Sequence, residues 1–118
     1  MKQIDLMEKA SQAEIRKDLI ELIETKYNKK FPENIERLIS YIPESYFFDG
    51  WRLLTEKEIL NASEYLNTDF ISAGLLPIID AYDNDFIVYD LNDNIWKIYN
   101  ITDEVAFNQA ENPSELLR

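Results

Sequence analysis

The apolar residues in the first half of the chain recur at helical spacing. They predict a first helix over about residues 11–27, with Glu and Lys between the apolar positions. Pro32 suits the first turn of a helix and predicts the start of a second one, which Pro43 ends. One face of each helix is therefore expected to be buried. The predicted buried positions are Ile15, Leu19, Leu22, Ile23 and Tyr27 in the first helix and Ile35, Leu38, Ile39 and Ile42 in the second.

A third helix has a local start signal. The hydroxyl of Thr55 is placed to accept a hydrogen bond from the amide of Glu58, whose carboxylate can reach back to the amide of Thr55. Leu54, just before this pair, is placed to pack against Ile59. This capping box predicts a helix that runs to about residue 66. Gly74 then frees the backbone before a sheet begins.

The pattern changes in residues 75–101, where apolar β-forming residues alternate with clusters of Asp and Asn. Phe86 and Val88 lie before the turn-forming residues 92–94, and Ile95 and Tyr99 lie after them. This arrangement predicts an antiparallel meander of two or three strands.

A second turn signal, Asp49-Gly50, lies between aromatic residues and is typical of a tight hairpin. Neighbouring side chains in a hairpin face opposite ways, so its rings are either core residues, which we favour, or exposed anchors for a partner. The same two interpretations apply to Trp96 and Tyr99, which we expect on opposite faces of the sheet. The rings beside Asp49-Gly50 belong to Tyr46, Phe47, Phe48 and Trp51.

Helices followed by an antiparallel sheet define an α+β fold. We expect a single domain over residues 1–118, with three main helices packed on one face of the sheet and a short C-terminal helix. The helical part is predicted at about residues 11–67, the sheet part at about residues 75–108 and the C-terminal helical turn at about residues 113–118. That turn begins near Pro113 and Ser114 and is expected to bury Leu116 and Leu117.

The residue types narrow the possible chemistry. The sequence has no His and no Cys, which excludes a Ser-His or Cys-His nucleophile and a zinc site of the usual ligands. Two glycines are too few for a Walker loop or a dinucleotide-binding turn. A pair of carboxylates could hydrolyse a glycoside, but such a pair is expected by chance among the 17 acidic residues that follow residue 30. We therefore predict a protein that is not an enzyme and has no cofactor.

The N-terminal residues lack the continuous apolar segment of a secretory signal, and the chain has no apolar run long enough for a membrane span. A cytoplasmic location is therefore expected.

The net charge of −11 belongs to the later part of the chain. Residues 1–30 carry 7 Lys or Arg against 6 Asp or Glu, whereas residues 31–118 carry 5 against 17. Such a surface repels phosphate backbones and anionic lipids, so we expect neither nucleic-acid nor membrane binding. It attracts basic proteins, although solubility alone would also explain the charge.

The acidic turns raise the question of a metal site. Asp90, Asn92 and Asn94 match the first ligand positions of a calcium-binding EF-hand loop, but Ile95 and Ile101 stand where that loop needs Gly and Glu. Asp80, Asp83 and Asp85 could hold a hard cation. Because Asp and Asn are above all turn formers, we favour a structural role and predict no metal.

The order and spacing of several short motifs resemble the SUKH superfamily, the domain shared by bacterial toxin-immunity proteins and a fungal cell-wall assembly regulator. The resemblance spans about residues 18–117. Many members have a Gly-rich loop after the second helix, where this chain has Ile42-Pro43-Glu44-Ser45, and a Gly often found near residues 83–85 is missing here. The matching positions are Glu21, Glu24, Phe31-Pro32-Glu33, Trp51-Arg52-Leu53-Leu54, Glu58-Ile59, Asn61, Leu76-Pro77-Ile78, Asp83-Asn84-Asp85-Phe86 and Tyr89-Asp90.

This resemblance implies a non-catalytic binding domain. Bacterial members typically neutralise a toxin by direct contact, and many of those toxins act on nucleic acids through basic clefts. The implied partner is a cognate toxin with a basic surface, bound by a monomer or weak dimer; the alternative is a regulatory scaffold or small-ligand module like the fungal member. The predicted partner-binding residues are Asp49, Trp51, Asp80, Tyr82, Asp83, Asp85, Asp90 and Asp93.

Overall fold

The structure is a computed structural model that describes residues 6–41, 47–48 and 51–116. Within these residues the chain forms six α-helices, six β-strands and one 3-10 helix. The helices are α1 (Leu6–Ala10), α2 (Lys17–Tyr27), α3 (Glu33–Tyr41), α4 (Glu56–Leu60), α5 (Ala62–Tyr65) and α6 (Phe70–Ala73), and the 3-10 helix is Pro113–Leu116. The strands are β1 (Phe47–Phe48), β2 (Trp51–Leu53), β3 (Leu75–Asp80), β4 (Asp85–Asp90), β5 (Ile95–Asn100) and β6 (Val105–Ala110).

The six strands form one sheet in the order in which they occur along the chain, and every neighbouring pair is antiparallel. The predicted meander is confirmed as β3, β4 and β5, and it continues into β6 at one edge and into the short β2 and β1 at the other. Phe48 pairs with Trp51, so β1 and β2 are antiparallel neighbours, and the turn predicted at Asp49-Gly50 lies outside the described residues. The prediction of an α+β fold with an antiparallel sheet is therefore confirmed.

The start predicted for the first helix, at about residue 11, is wrong. Helix α1 ends at Ala10 and α2 begins only at Lys17. In a continuous helix the carbonyl oxygen of Ala13 would accept a hydrogen bond from the amide of Lys17, but here it accepts one of 2.6 Å from the guanidinium of Arg37. The amide of Arg16 likewise donates to the hydroxyl of Ser40, 2.9 Å away in α3. Contacts with α3 thus interrupt the helix.

The residues that α2 buries also differ in part from the prediction. Leu19, Ile20 and Ile23 are buried, whereas Leu22, which we predicted to be buried, is 56% exposed. The buried face of α2 therefore includes Ile20 in place of the predicted Leu22.

The second and third helices agree better with the prediction. Ile35, Leu38 and Ile39 of α3 are all fully buried, while Ile42 and Pro43 lie outside the described residues. The capping box before α4 is present: the hydroxyl of Thr55 accepts from the amide of Glu58 at 3.2 Å, and the carboxylate of Glu58 accepts from the amide of Thr55 at 2.9 Å. The helix expected to reach residue 66 is divided at Asn61 into α4 and α5.

Gly74 ends α6 in the left-handed conformation, with φ of 71°, and so allows β3 to start at the next residue. The amide of Leu91, in the turn between β4 and β5, donates to the carbonyl oxygen of Gly74 at 2.8 Å. A Cβ atom at Gly74 would lie 2.6 Å from the side-chain nitrogen of Asn92. A side chain at residue 74 would therefore be strained by this conformation and would also displace the side chain of Asn92.

Consecutive residues of the two central strands are buried, from Leu75 to Ile79 in β3 and from Phe86 to Asp90 in β4. Because successive side chains of a strand point to opposite faces, both faces of these strands are covered. The packing of three helices on one face stays a prediction, and the other face is not left open to solvent along β3 and β4.

The edges of the core follow the prediction in part. Trp96 is 1% exposed, and Tyr99 is partly buried with its ring 5.8 Å from that of Phe70. Leu116 in the C-terminal 3-10 helix is buried, as expected, whereas Leu117 lies outside the described residues. The burial of the rings from Tyr46 to Trp51 is likewise not part of the described structure.

Candidate functional site

The register of the meander brings two exposed turns to the same end of the sheet. Residues 81–84 connect β3 to β4, and residues 101–104 connect β5 to β6. Asp85 at the start of β4 pairs with Asn100 at the end of β5, and the amide of Ile101 donates to the carbonyl oxygen of Asn84 at 2.9 Å. The two turns are therefore in direct contact. We call this end of the sheet, formed by residues 80–85 and 100–104, the acidic end.

The turn between β3 and β4 has an unusual backbone. Tyr82, Asp83 and Asn84 all have positive φ, at 68°, 53° and 67°. This conformation costs about 1–2 kcal/mol for a residue with a Cβ atom, although Asn and Asp tolerate it better than Tyr does. The carboxylate of Asp80 accepts from the amide of Tyr82 at 3.0 Å, and the amide of Asp85 donates back to the carbonyl oxygen of Tyr82 at 2.9 Å. These bonds hold the turn with the side chain of Tyr82 52% exposed.

The turn between β5 and β6 adds two carboxylates that were not among the predicted partner-binding residues. Asp103 and Glu104 are both exposed. The side-chain oxygen of Asn100 accepts from the amides of Thr102 and Asp103, at 3.0 and 2.8 Å, and so fixes the turn. The signal that could have found this turn is the group of turn-forming and polar residues Asn100, Thr102, Asp103 and Glu104, interrupted only by Ile101, which follows an apolar strand pattern as residues 92–94 do.

The other acidic side chains of this end have partners within the protein. Asp85 accepts from the side-chain amide of Asn100 at 2.8 Å. Asp80 lies 3.8 Å from the guanidinium of Arg52, which also forms two bonds of 2.6 and 2.8 Å with the carboxylate of Glu58. These bonds to Glu58 raise the pKa of Arg52 above its ordinary value. The carboxylates of Asp83, Asp103 and Glu104 are therefore the most exposed charges of the acidic end.

Asp90 is not an exposed turn residue, which corrects the prediction. Its side chain is buried, with 7% of the residue exposed, at the opposite end of the hairpin from the acidic end. One carboxylate oxygen accepts from the amides of Asn92 and Asp93, at 2.8 and 3.1 Å, and the other lies 2.8 Å from the ammonium group of Lys97. Asp90 therefore closes a turn and neutralises a cation. Asp90 and Lys97 are seven residues apart and are brought together by the pairing of β4 with β5. Their spacing in the sequence did not by itself indicate this ion pair.

Asp93 lies at that same far end. Its carboxylate is 63% exposed but also pairs with Lys97, at 3.1 Å. The eight predicted partner-binding residues therefore do not form one surface. Asp80, Tyr82, Asp83 and Asp85 lie together at the acidic end, and Trp51 begins the strand whose next residue, Arg52, pairs with Asp80. Asp49 lies outside the described residues.

Within residues 6–41, 47–48 and 51–116, acidic side chains do not come together in any group of three or more that could hold a metal ion. Asp80 and Asp85 accept hydrogen bonds from Tyr82 and Asn100, and Asp83 is exposed. No helix of the described residues is long and apolar enough to cross a membrane.

Comparison of the chain with protein-family models, with curated proteins and with solved structures found no match. The resemblance to the SUKH superfamily therefore depends on the sequence motifs quoted above.

Proposed function

We propose that this protein is a SUKH-like immunity protein that inhibits a cognate bacterial toxin by covering a basic surface of that toxin with its acidic end. The observation that supports the proposal is that the exposed residues Asp83, Asp103 and Glu104 lie at one end of the sheet, which also carries the exposed Tyr82. The turn between β5 and β6 adds two of the three exposed carboxylates to the one beside Tyr82, and it has no aromatic residue of its own.

Charge and shape would act at different steps of binding. A protein of net charge −11 is drawn towards a basic partner, which raises the association rate at low salt. Tyr82 supplies what exposed carboxylates lack, a large and partly apolar contact of the kind that leads binding hot spots. Its turn is held by hydrogen bonds to Asp80 and Asp85, so little backbone freedom would be lost when a partner binds.

The proposal assigns different roles to the predicted residues. Asp83, Asp103, Glu104 and Tyr82 would contact the toxin, and Asp80 and Asp85 would hold the turn that presents them. Asp90 and Asp93 would support the fold at the far end. Roles for Asp49 and Trp51 in binding stay predictions.

The test is binding of the purified protein to the toxin encoded beside its gene. The neutralised variant Asp83→Asn, Asp103→Asn and Glu104→Gln keeps side chains of similar size, and Asn tolerates the positive φ of residue 83. Its matched control, Glu14→Gln, Asp18→Asn and Glu21→Gln, removes the same charge from exposed positions in and just before α2. We expect the first variant to associate about tenfold more slowly at low salt, and the control to change the rate much less.

A second variant separates the ring from the charge. Tyr82→Asn should speed dissociation, because it removes the proposed anchor and keeps a residue suited to positive φ. Tyr65→Asn, at another exposed tyrosine (74% exposed), is the control. Absence of a complex, or equal effects of the acidic-end and control variants, would count against the proposal.

A further inference from the structure

Strand β6 is more exposed to solvent than is usual for a strand, because it is exposed on both faces. It is the last strand in the order of the sheet, and within the described residues no other strand pairs with its outer edge. Residues 105–109 are all exposed, on both faces, including Val105 at 49% and Phe107 at 41%. The backbone groups and apolar side chains of this edge are thus available together.

The composition of β6 does not protect this edge. Edge strands of native proteins usually carry a charged residue, especially Lys, or a Pro that prevents another chain from pairing. The sequence of β6, VAFNQA, has neither, although the chain as a whole is 30% charged. A bulge is present: Asn108, with φ of 50°, is the extra residue between the pairs Ile98–Phe107 and Lys97–Gln109. Regular pairing at the outer edge is therefore limited to the residues before Asn108.

The charges beside this short edge indicate what kind of chain would fit. Asp103 and Glu104 immediately precede Val105 and are exposed. A second copy of this protein would bring another net charge of −11 to the same place, which opposes pairing of two β6 strands. An extended segment that carries Lys or Arg at one end and apolar residues at alternate positions matches both the carboxylates and the exposed Val105 and Phe107.

We propose that the outer edge of β6 accepts an extended basic segment of a partner protein as an additional antiparallel or parallel strand. The segment pairs with residues 105–107 through backbone hydrogen bonds, its apolar side chains pack beside Val105 and Phe107, and its basic end reaches Asp103 and Glu104. This inference rests on the proposed function, because it takes the basic partner that binds the acidic end to be the protein that also binds the adjoining edge of β6.

The edge is tested directly with a peptide, without the toxin. The probe is a short capped peptide of alternating Val and Thr with Lys at both ends, titrated into ¹⁵N-labelled protein while backbone amide signals are followed by NMR. We expect the largest shifts in residues 104–107. Methylation of one central peptide nitrogen should weaken binding by up to about tenfold, because it removes a backbone hydrogen bond. A peptide with Glu in place of Lys should not bind.

Variants test the same edge from the protein side. Val105→Lys and Phe107→Lys together place charges on β6, and Leu22→Lys with Tyr65→Lys adds the same charge at two other exposed apolar positions. Thermal unfolding of both variants establishes that they are folded, and Val105→Lys alone serves if the pair is not. Only the β6 variants should lose the peptide.

Three results would overturn the inference: peptide shifts that avoid β6, equal binding of the methylated peptide, or sedimentation of the free protein as a dimer that the β6 variants abolish. The toxin experiment keeps the two proposals apart. If the β6 variants bind the toxin as the unaltered protein does, the edge proposal fails and the immunity proposal stands. If no toxin complex forms but the peptide binds at β6, the immunity proposal fails instead.

Discussion

Asp90 illustrates how the surroundings of a single carboxylate decide its role. Burial acts to raise its pKa, but the hydrogen bonds from Lys97 and from the amides of Asp93 and Asn92 outweigh burial, so the pKa of Asp90 in the folded protein lies below its usual value of 3.8. The ionised side chain is thus the form that the fold stabilises. A carboxylate of this kind contributes to stability, and little of it is accessible to a partner protein.

Asp90→Asn should destabilise the protein by about 1.5–3 kcal/mol, measured by urea unfolding. The asparagine oxygen can still accept from the two turn amides, but its NH₂ group would face the ammonium group of Lys97, and both are donors. Asp93→Asn is the control. Its carboxylate is 63% exposed, so we expect a change within about 0.5 kcal/mol. Equal losses in the two variants would contradict the structural role of Asp90.

The same contacts predict how stability depends on pH. Because the folded-state pKa of Asp90 is lowered, its contribution is fully present above the unfolded-state pKa of about 3.9 and is lost as the pH falls through the lower folded-state value. Urea unfolding between about pH 5 and pH 2 should therefore show a smaller loss of stability for Asp90→Asn than for the unaltered protein. An identical pH dependence would show that Asp90 is not among the groups responsible.

Strand β2 and helix α4 show how a local signal and a tertiary contact combine in one element. The capping box of Thr55 and Glu58 follows from residues three apart and could be predicted from sequence. The structure adds Arg52, whose two hydrogen bonds to the carboxylate of Glu58 join the strand to the first turn of the helix. Glu58 therefore serves the helix and the sheet at once.

Substitution of Glu58 should reveal both roles. Glu58→Ala removes the ion pair and the acceptor for the amide of Thr55, while the hydroxyl of Thr55 still accepts from the amide of residue 58, and we expect a loss of about 2–3 kcal/mol in the free energy of unfolding. Glu58→Gln keeps an oxygen for the amide of Thr55 but loses the charged bond to Arg52, so an intermediate loss is expected. Hydrogen exchange should become faster in the first turn of α4 in the alanine variant.

Glu64→Gln is the control for these variants, since its carboxylate is 69% exposed and lies 3.6 Å from Lys26. It should change stability little. Glu58 also has a lowered pKa, chiefly through its bond to Arg52, so its contribution too disappears in acid. If the alanine and glutamine variants were equally stable, the hydrogen bond from the amide of Thr55 to residue 58 would contribute nothing beyond the ion pair.

At the scale of the whole molecule, the parts predicted from sequence are those fixed by neighbours along the chain. The meander, the capping box and the turn at residues 92–94 each depend on a few consecutive residues. The break between α1 and α2 depends instead on Arg37 and Ser40, which are 24 residues from their partners. No periodicity in residues 11–27 records those contacts, so a continuous helix was predicted.

The candidate site follows the same division. The sequence indicated the acidic residues of the turns before β4 and before β5, and four of the predicted residues do lie together at the acidic end. Their separation from Asp90 and Asp93, and the addition of Asp103 and Glu104, follow from the alternation of turns between the two ends of an antiparallel sheet. Once the strands had been assigned, that alternation was available from their order alone. The pairing of Asp90 with Lys97 was not, because it needs the register.

The charge of the molecule leads to a last prediction, which concerns salt. With 23 acidic against 12 basic residues, like-charge repulsion should oppose folding at low ionic strength. Raising NaCl from about 10 mM to about 150 mM shortens the screening length from about 30 Å to about 8 Å. The ion pairs of Asp90 and Glu58 are partly buried and are screened less than exposed charges. We therefore expect the midpoint of thermal unfolding to rise by a few degrees, roughly the effect of half a kcal/mol in a domain of this size.

The neutralised acidic-end variant, Asp83→Asn, Asp103→Asn and Glu104→Gln, provides the control for this effect. It removes three exposed negative charges from the acidic end. Compared with the unaltered protein, its unfolding midpoint at low salt should therefore be higher and should rise less with NaCl. A midpoint that falls with NaCl would mean that attraction between paired charges outweighs the repulsion. The charges of the acidic end would then not destabilise the free protein. Their presence would not need to be offset by a gain in binding to a partner.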